Sequence, residues 1–227
     1  MSTPLTHHRA DAGQVSPRRE RTRERLLDAA YEVFARLGVH GASIEAICEA
    51  AGFTRGAFYS NFESKEALFI ALADRQVRSR LVSLERAVSA LTPGALPAER
   101  LDRDAIRSLL AAVTSDPGDE RHWYLMTTEF ELLALRDPEV GTRWLAQQQA
   151  LQGELTAALP RLLGELGLRF VVDPRTAVDV LLTAYEAGVR ESFFTGSADR
   201  PGRALEVLVD LLVTDNTDVT DAPDPAP

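Results

Sequence analysis

The sequence predicts an all-α protein, and three features of its 227 residues point that way. Leucine and alanine recur throughout, β-branched runs are scarce, and apolar residues mostly fall three or four apart, as on one face of a helix. Turn signals come in discrete clusters between these stretches: "TPGALP" at 92–97, "SDPGD" at 115–119, "DP" at 137–138, "GLRFVVDP" at 167–174 and "TGSADRPG" at 195–202. A chain of this length buries a sizeable core. The expected architecture is a small three-helix head joined by a long fourth helix to a helical C-terminal domain.

Residues 1–20 are polar and patternless, and with Arg18, Arg19, Arg21, Arg23 and Arg25 they read as a disordered basic arm running into a helix. Leu26, Leu27, Ala30, Tyr31, Phe34 and Leu37 place that first helix over about Thr22 to Leu37, with Gly38 at its C-terminal cap. Ser43 is a good N-cap for a short helix with Ile44, Ile47 and Cys48 inward, and Gly52 permits the left-handed turn that ends it. Thr54 can cap another helix straight after. Eight residues, a glycine-centred turn and a second short capped helix make a helix-turn-helix over 43–62.

Ser64 caps the fourth helix, in which Leu68, Phe69, Leu72, Val77, Leu81, Leu84, Val88 and Leu91 keep a helical repeat. The later breaks delimit helices of about 98–113, 119–136, 138–166, 174–194 and 202–213, with Pro160 expected to kink or split the third of these. The tail "TDNTDVTDAPDPAP" is acidic and proline-rich and reads as disordered. The domain division is therefore 1–20 arm, 21–80 head, 81–213 second domain and 214–227 tail.

The stretch "GFTRGAFYSNF" shows what the head meets. In a helix-turn-helix the second helix lies in the major groove, its first residues toward base edges and its flanks against phosphates. Thr54 offers a hydroxyl and backbone amides to a phosphate, and Arg55 is the only long donor on the helix, able to bond a guanine through O6 and N7. Gly56 and Ala57 let the backbone approach the bases. Phe58 and Phe62, four apart, face inward, which leaves Tyr59 and Asn61 outside as phosphate donors. Lys65, the only lysine beside 24 arginines, sits in the first turn of the next helix, where a cation opposes the helix dipole and a nearby phosphate would explain it. With Ser43 these residues form the expected DNA-binding set: Ser43, Thr54, Arg55, Gly56, Ala57, Tyr59, Asn61 and Lys65.

The net charge of −9 is unevenly spread. Residues 1–80 hold 12 basic and 10 acidic residues against 13 and 24 in the remainder, so the end meant for a polyanion is the basic one. The single cysteine, Cys48, excludes an intramolecular disulfide and a multi-cysteine zinc site. No stretch nears ~20 apolar residues and the start lacks the apolar core of a signal peptide, so a cytoplasmic protein without membrane contact is expected.

The second domain carries an aromatic concentration suited to an apolar ligand pocket, and Trp123, Met126, Phe130, Trp144 and Tyr185 are its candidate lining. Glu129 and Glu186 are possible partners for a cationic ligand. In the last two helices Val178, Leu181, Leu182, Tyr185, Leu205, Leu208, Val209 and Leu212 would make a four-helix dimer interface, or alternatively close the monomer's own core. No Glu-x-x-His pair or nucleophile constellation is present, and neither catalysis nor a metal or other cofactor is expected. A helical protein-binding or small-molecule-binding module without a DNA function is the other alternative.

The stretch "RERLLDAAYEVFARLGVHGASIEAICEAAGFTRGAFYSNFESKEALF", residues 23–69, resembles the DNA-binding head of the TetR (tetracycline-repressor-like) transcriptional regulators. The turn, glycine, tyrosine, phenylalanine and lysine all fall at family spacing, while Asn61 stands where many members carry histidine. The resemblance implies a homodimer of all-helical subunits whose heads read a palindromic operator with half-sites one helical turn, ~34 Å, apart. It also implies a small-molecule effector in the second domain that releases DNA, usually to derepress transcription.

Overall fold

In a computed structural model, residues 17–90, 117–196 and 203–216 are described. Most of the basic arm, the expected helix over 98–113 and the last part of the acidic tail lie outside them. The described residues form α1 (Pro17–Gly41), α2 (Ile44–Ala51), α3 (Arg55–Tyr59), α4 (Lys65–Ala90), α5 (Pro117–Arg136), α6 (Pro138–Glu165), β1 (Leu168–Phe170), α7 (Pro174–Thr195), α8 (Arg203–Leu212) and β2 (Val213–Asp215). Eight helices and two three-residue strands agree with the all-α expectation.

Caps place the head helices as the sequence predicts. Ser43 Oγ accepts from the Ala46 N–H at 3.1 Å, Thr54 Oγ1 from the Ala57 N–H at 3.3 Å, and Ser64 Oγ from the Ala67 N–H at 3.0 Å. Gly52 takes the left-handed conformation at φ 68° and closes α2 by donating to the carbonyls of Cys48 and Glu49. Four corrections concern the elements. The helix begins at Pro17, inside the expected arm, and Leu37 is 47% exposed while Val33 takes its place in the core. Pro160 does not split α6, which runs unbroken to Glu165. Buried Ala158 and Leu162 on either side of the proline hold the helix to its neighbours where one hydrogen bond is missing. Lastly, β1 and β2 pair antiparallel, Leu168 opposite Asp215, so the end of the last helix and the start of the tail are a strand.

The head has no core of its own. Leu26, Phe34, Ile47, Phe58, Leu68 and Phe69 belong to one continuous buried cluster with Met126, Phe130, Ala134 and Trp144 of α5 and α6. Phe69 is its centre, stacked on Phe130 with ring centroids 4.3 Å apart and edge-on to Phe34 at 5.7 Å. Below this seam α4, α5, α6, α7 and α8 surround a cavity of about 560 Å³.

Candidate nucleic-acid interface

The short helix α3 is anchored from beneath and open above. Phe58 is fully buried, Phe62 nearly so, and their rings lie 6.0 Å apart. Arginines of α1 clamp the surrounding chain: Arg19 donates to the Ser60 carbonyl at 3.2 Å, Arg25 to the Ala51 carbonyl at 2.8 Å, and the Arg23 and Arg25 guanidinium groups lie over the rings of Phe62 and Phe53 at 4.4 and 4.7 Å. Three arginines of the N-terminal cluster, Arg19 from the expected arm and Arg23 and Arg25 from the expected first helix, thus brace the helix-turn-helix. Burial pushes the Cys48 thiol up, so the cysteine on the inner face of α2 stays a small apolar filler.

On the open face, Ser43, Thr54, Arg55, Gly56 and Tyr59 are all exposed, with Ala57 between them half-buried. Arg55 makes an exposed ion pair with Glu45 of α2 at 2.7 Å and reaches the Tyr59 hydroxyl at 3.4 Å. A Cβ added at Gly56 would meet only Thr54 Oγ1, at 3.7 Å, so nothing inside the protein requires glycine there.

Asn61 and Lys65 turn their donors inward. The Asn61 amide donates to the Ala57 carbonyl at 2.8 Å and to Ser60 Oγ at 3.3 Å, while its Oδ1 is buried without a partner. Lys65 Nζ donates to the carbonyls of Val39 and Ala42, both at 2.8 Å, and to that of His40 at 3.4 Å. Its position at the start of a helix thus has an intramolecular cause, the orphan carbonyls at the end of α1, in place of the phosphate inferred from sequence.

In the body, Trp123, Trp144 and Tyr185 line the cavity, as expected of a pocket. Met126 and Phe130 do not. They lie on the side of α5 turned to Phe69 and are buried in the seam, a correction that follows from helix phase, since 126 and 130 share one face while 123, 127 and 131 share another. Glu186 and Glu131 reach the cavity wall, where desolvation pushes both carboxyls up, whereas Glu129 is absent from it. Elsewhere in the cavity wall the Tyr185 hydroxyl donates to Glu120 at 2.6 Å, and Arg80 donates to both. Burial, the largest cause, raises the Tyr185 phenol well above its usual range.

Of the residues expected at a dimer interface, most take part in the protein's own body, the alternative that the sequence left open. Val178 and Leu205 are buried inside the monomer, and Leu181, Leu182, Tyr185 and Val209 line the cavity, with Leu208 and Leu212 half-buried. The more apolar face of each helix closes the protein's own body. The apolar residues left outside are Val180 and Phe194 of α7 and Val207 and Leu211 of α8.

Residues 26–72, from α1 into α4, match the model of the bacterial regulatory proteins of the tetR family. The chain is 28% identical over 192 residues to the HTH-type transcriptional repressor AcnR of Corynebacterium diphtheriae, covering 82% of this chain and 88% of that protein. The AcnR repressor of Corynebacterium efficiens is also 28% identical, over 62% of this chain, which spans 65% of that relative's length. To the HTH-type transcriptional regulator SrpR of Pseudomonas putida the identity is 46% over 29% of this chain and 31% of that one. A putative transcriptional regulator from Rhodococcus sp. RHA1 shares the fold with a TM-score of 0.62 at 23% identity, over 84% of this chain and 95% of that structure. A putative TetR-family regulator from Rhodococcus does so with a TM-score of 0.65 at 16% identity, over 85% and 98%. With the capped helix-turn-helix, these similarities identify residues 26–72 as a DNA-binding head of the tetR type of bacterial regulatory proteins, carried on a body with the helical fold of such regulators.

Proposed function

We propose that the protein is a repressor that binds a palindromic DNA operator as a homodimer and releases it when a small, largely apolar molecule enters the cavity. The observation that carries the DNA half is the exposed face of α3, where Arg55 and Tyr59 lie against each other with open Gly56 beside them, over a fully buried Phe58. Arg55 would exchange its ion pair with Glu45, worth little on a surface, for a guanine edge. Ser43, Thr54 and Tyr59 would hold phosphates. Ala57 and Gly56 would admit the bases closely.

A cavity of about 560 Å³ with two tryptophans and two tyrosines in its wall supports the ligand half. The exposed Val180, Phe194, Val207 and Leu211 support association through the outer faces of α7 and α8. No helix among the described residues is long and apolar enough to cross a membrane, in keeping with a cytoplasmic site of action.

The experiment is recovery of genomic fragments by the purified protein at two salt concentrations, read by sequencing. A shared palindrome whose retention falls steeply with salt supports the proposal, and the absence of any enriched sequence at either salt would sink it. With that operator in hand, Arg55→Ala should weaken binding by ~1–3 kcal/mol and relax one base position, while Tyr59→Phe should weaken all sites alike. Gly56→Ala gives opposite signs in two assays. Thermal stability should rise, by up to about 1 kcal/mol, because alanine favours the helix and meets no obstacle, while operator affinity falls. Unchanged affinity would show that the backbone at 56 does not approach DNA closely.

A further inference from the structure

The turn between α1 and α2 is held from both sides by charged groups that belong to neither helix. Gly38 breaks α1 with φ 73° and ψ 162°, a region open essentially to glycine alone. A Cβ there would also meet the Glu129 carboxylate, at 2.7 Å from Oε2 and 2.9 Å from Oε1. The next residue, Val39, donates its N–H to Glu129 Oε2 at 2.7 Å. Its carbonyl, with that of Ala42, accepts from Lys65 Nζ at 2.8 Å. Ser43, the cap of α2, follows at once, so the orientation of the helix-turn-helix depends on how this turn is held.

Glu129 comes from the middle of α5, whose other residues include Trp123, Thr127 and Glu131 of the cavity wall. A helix is stiff over such a distance, so displacement of the wall moves the carboxylate, and movement of the head displaces the wall. Resting on the regulator reading above, we infer that Glu129 is a positioning residue for the DNA-reading head. Through the Val39 N–H it fixes the α1–α2 turn, and through α5 it ties that turn to the cavity.

Coupling between two sites is reciprocal, so it is measurable from the DNA side with no effector in hand. Both tryptophans of the chain, Trp123 and Trp144, line the cavity and none lies in α1 to α4. Titration with the operator duplex should change tryptophan emission in step with occupancy. In E129A operator affinity should fall about tenfold, the scale of a lost charge-assisted hydrogen bond, and the emission change at saturation should vanish. E129Q, whose amide oxygen still accepts from Val39, should restore both. E129A binding like wild type with the same emission change would overturn the inference, as would wild-type emission that ignores a bound operator. If wild type selects no duplex at all, the regulator reading fails on its own. Amide hydrogen exchange at Val39 without DNA then decides the positioning: faster exchange in E129A than in E129Q supports it, and equal rates overturn it.

Discussion

Truncating Phe69 to alanine is expected to destabilise the protein by about 3–5 kcal/mol, the range for removing a buried aromatic ring. The ring is fully buried, stacked on Phe130 and in contact range of Phe34, Trp123 and Trp144, so its neighbours come from α1, α5 and α6. Four large rings around one vacancy cannot close it by small shifts. The measurable signature is urea unfolding followed by circular dichroism and by tryptophan emission: both curves should move to lower urea together. A shift in only the helical signal, with the tryptophans unmoved, would mean that α1 to α4 unfold independently of the body, against the single continuous core.

Replacing Arg80 by alanine should cost about 3 kcal/mol, the lower part of the range for breaking a buried ion pair, because the Arg80 side chain keeps 22% of its exposure. Its partner Glu120 is 3% exposed and would retain its carboxylate with Tyr185 as donor but without the guanidinium. For a chain of this size the loss lowers the melting temperature by roughly 6–12 °C. The double variant Arg80→Met with Glu120→Gln should recover most of it, since the buried carboxylate is then replaced by a neutral amide of the same shape. Equal melting temperatures for wild type and Arg80→Ala would show that the pair is solvated through the cavity mouth.

What the sequence made legible was local. Ser43, Gly52, Thr54 and Ser64 each act within three or four residues of themselves, and the head helices start and stop where those residues dictate. The exposed faces of α3 followed from the same arithmetic, with Phe58 and Phe62 inward and Arg55 and Tyr59 outward. Residues with partners far along the chain were misjudged or missed. Lys65 binds carbonyls 23 to 26 residues away, and Glu129 meets Val39 at a separation of 90. Arg19, Arg23 and Arg25 read only as a basic cluster because charge alone does not tell a clamp from a solvated cation. In the last two helices the apolar periodicity was real, but a face that is apolar enough to bury is equally suited to a cavity wall and to a subunit contact. The β1–β2 pair joins segments more than 40 residues apart with three residues each, too few for an alternating pattern.

The shared core of rings around Phe69 also limits how freely such regulators can exchange parts. A chimaera that takes α1 to α4 from a relative and keeps this body would place a foreign residue against Phe130 and Trp144, and another opposite Glu129. On the proposed function, operator specificity sits on a few exposed side chains of α3 and is open to transplantation residue by residue. Grafting a whole head requires the seam to travel with it, so the smallest interchangeable unit is the reading face and not the domain.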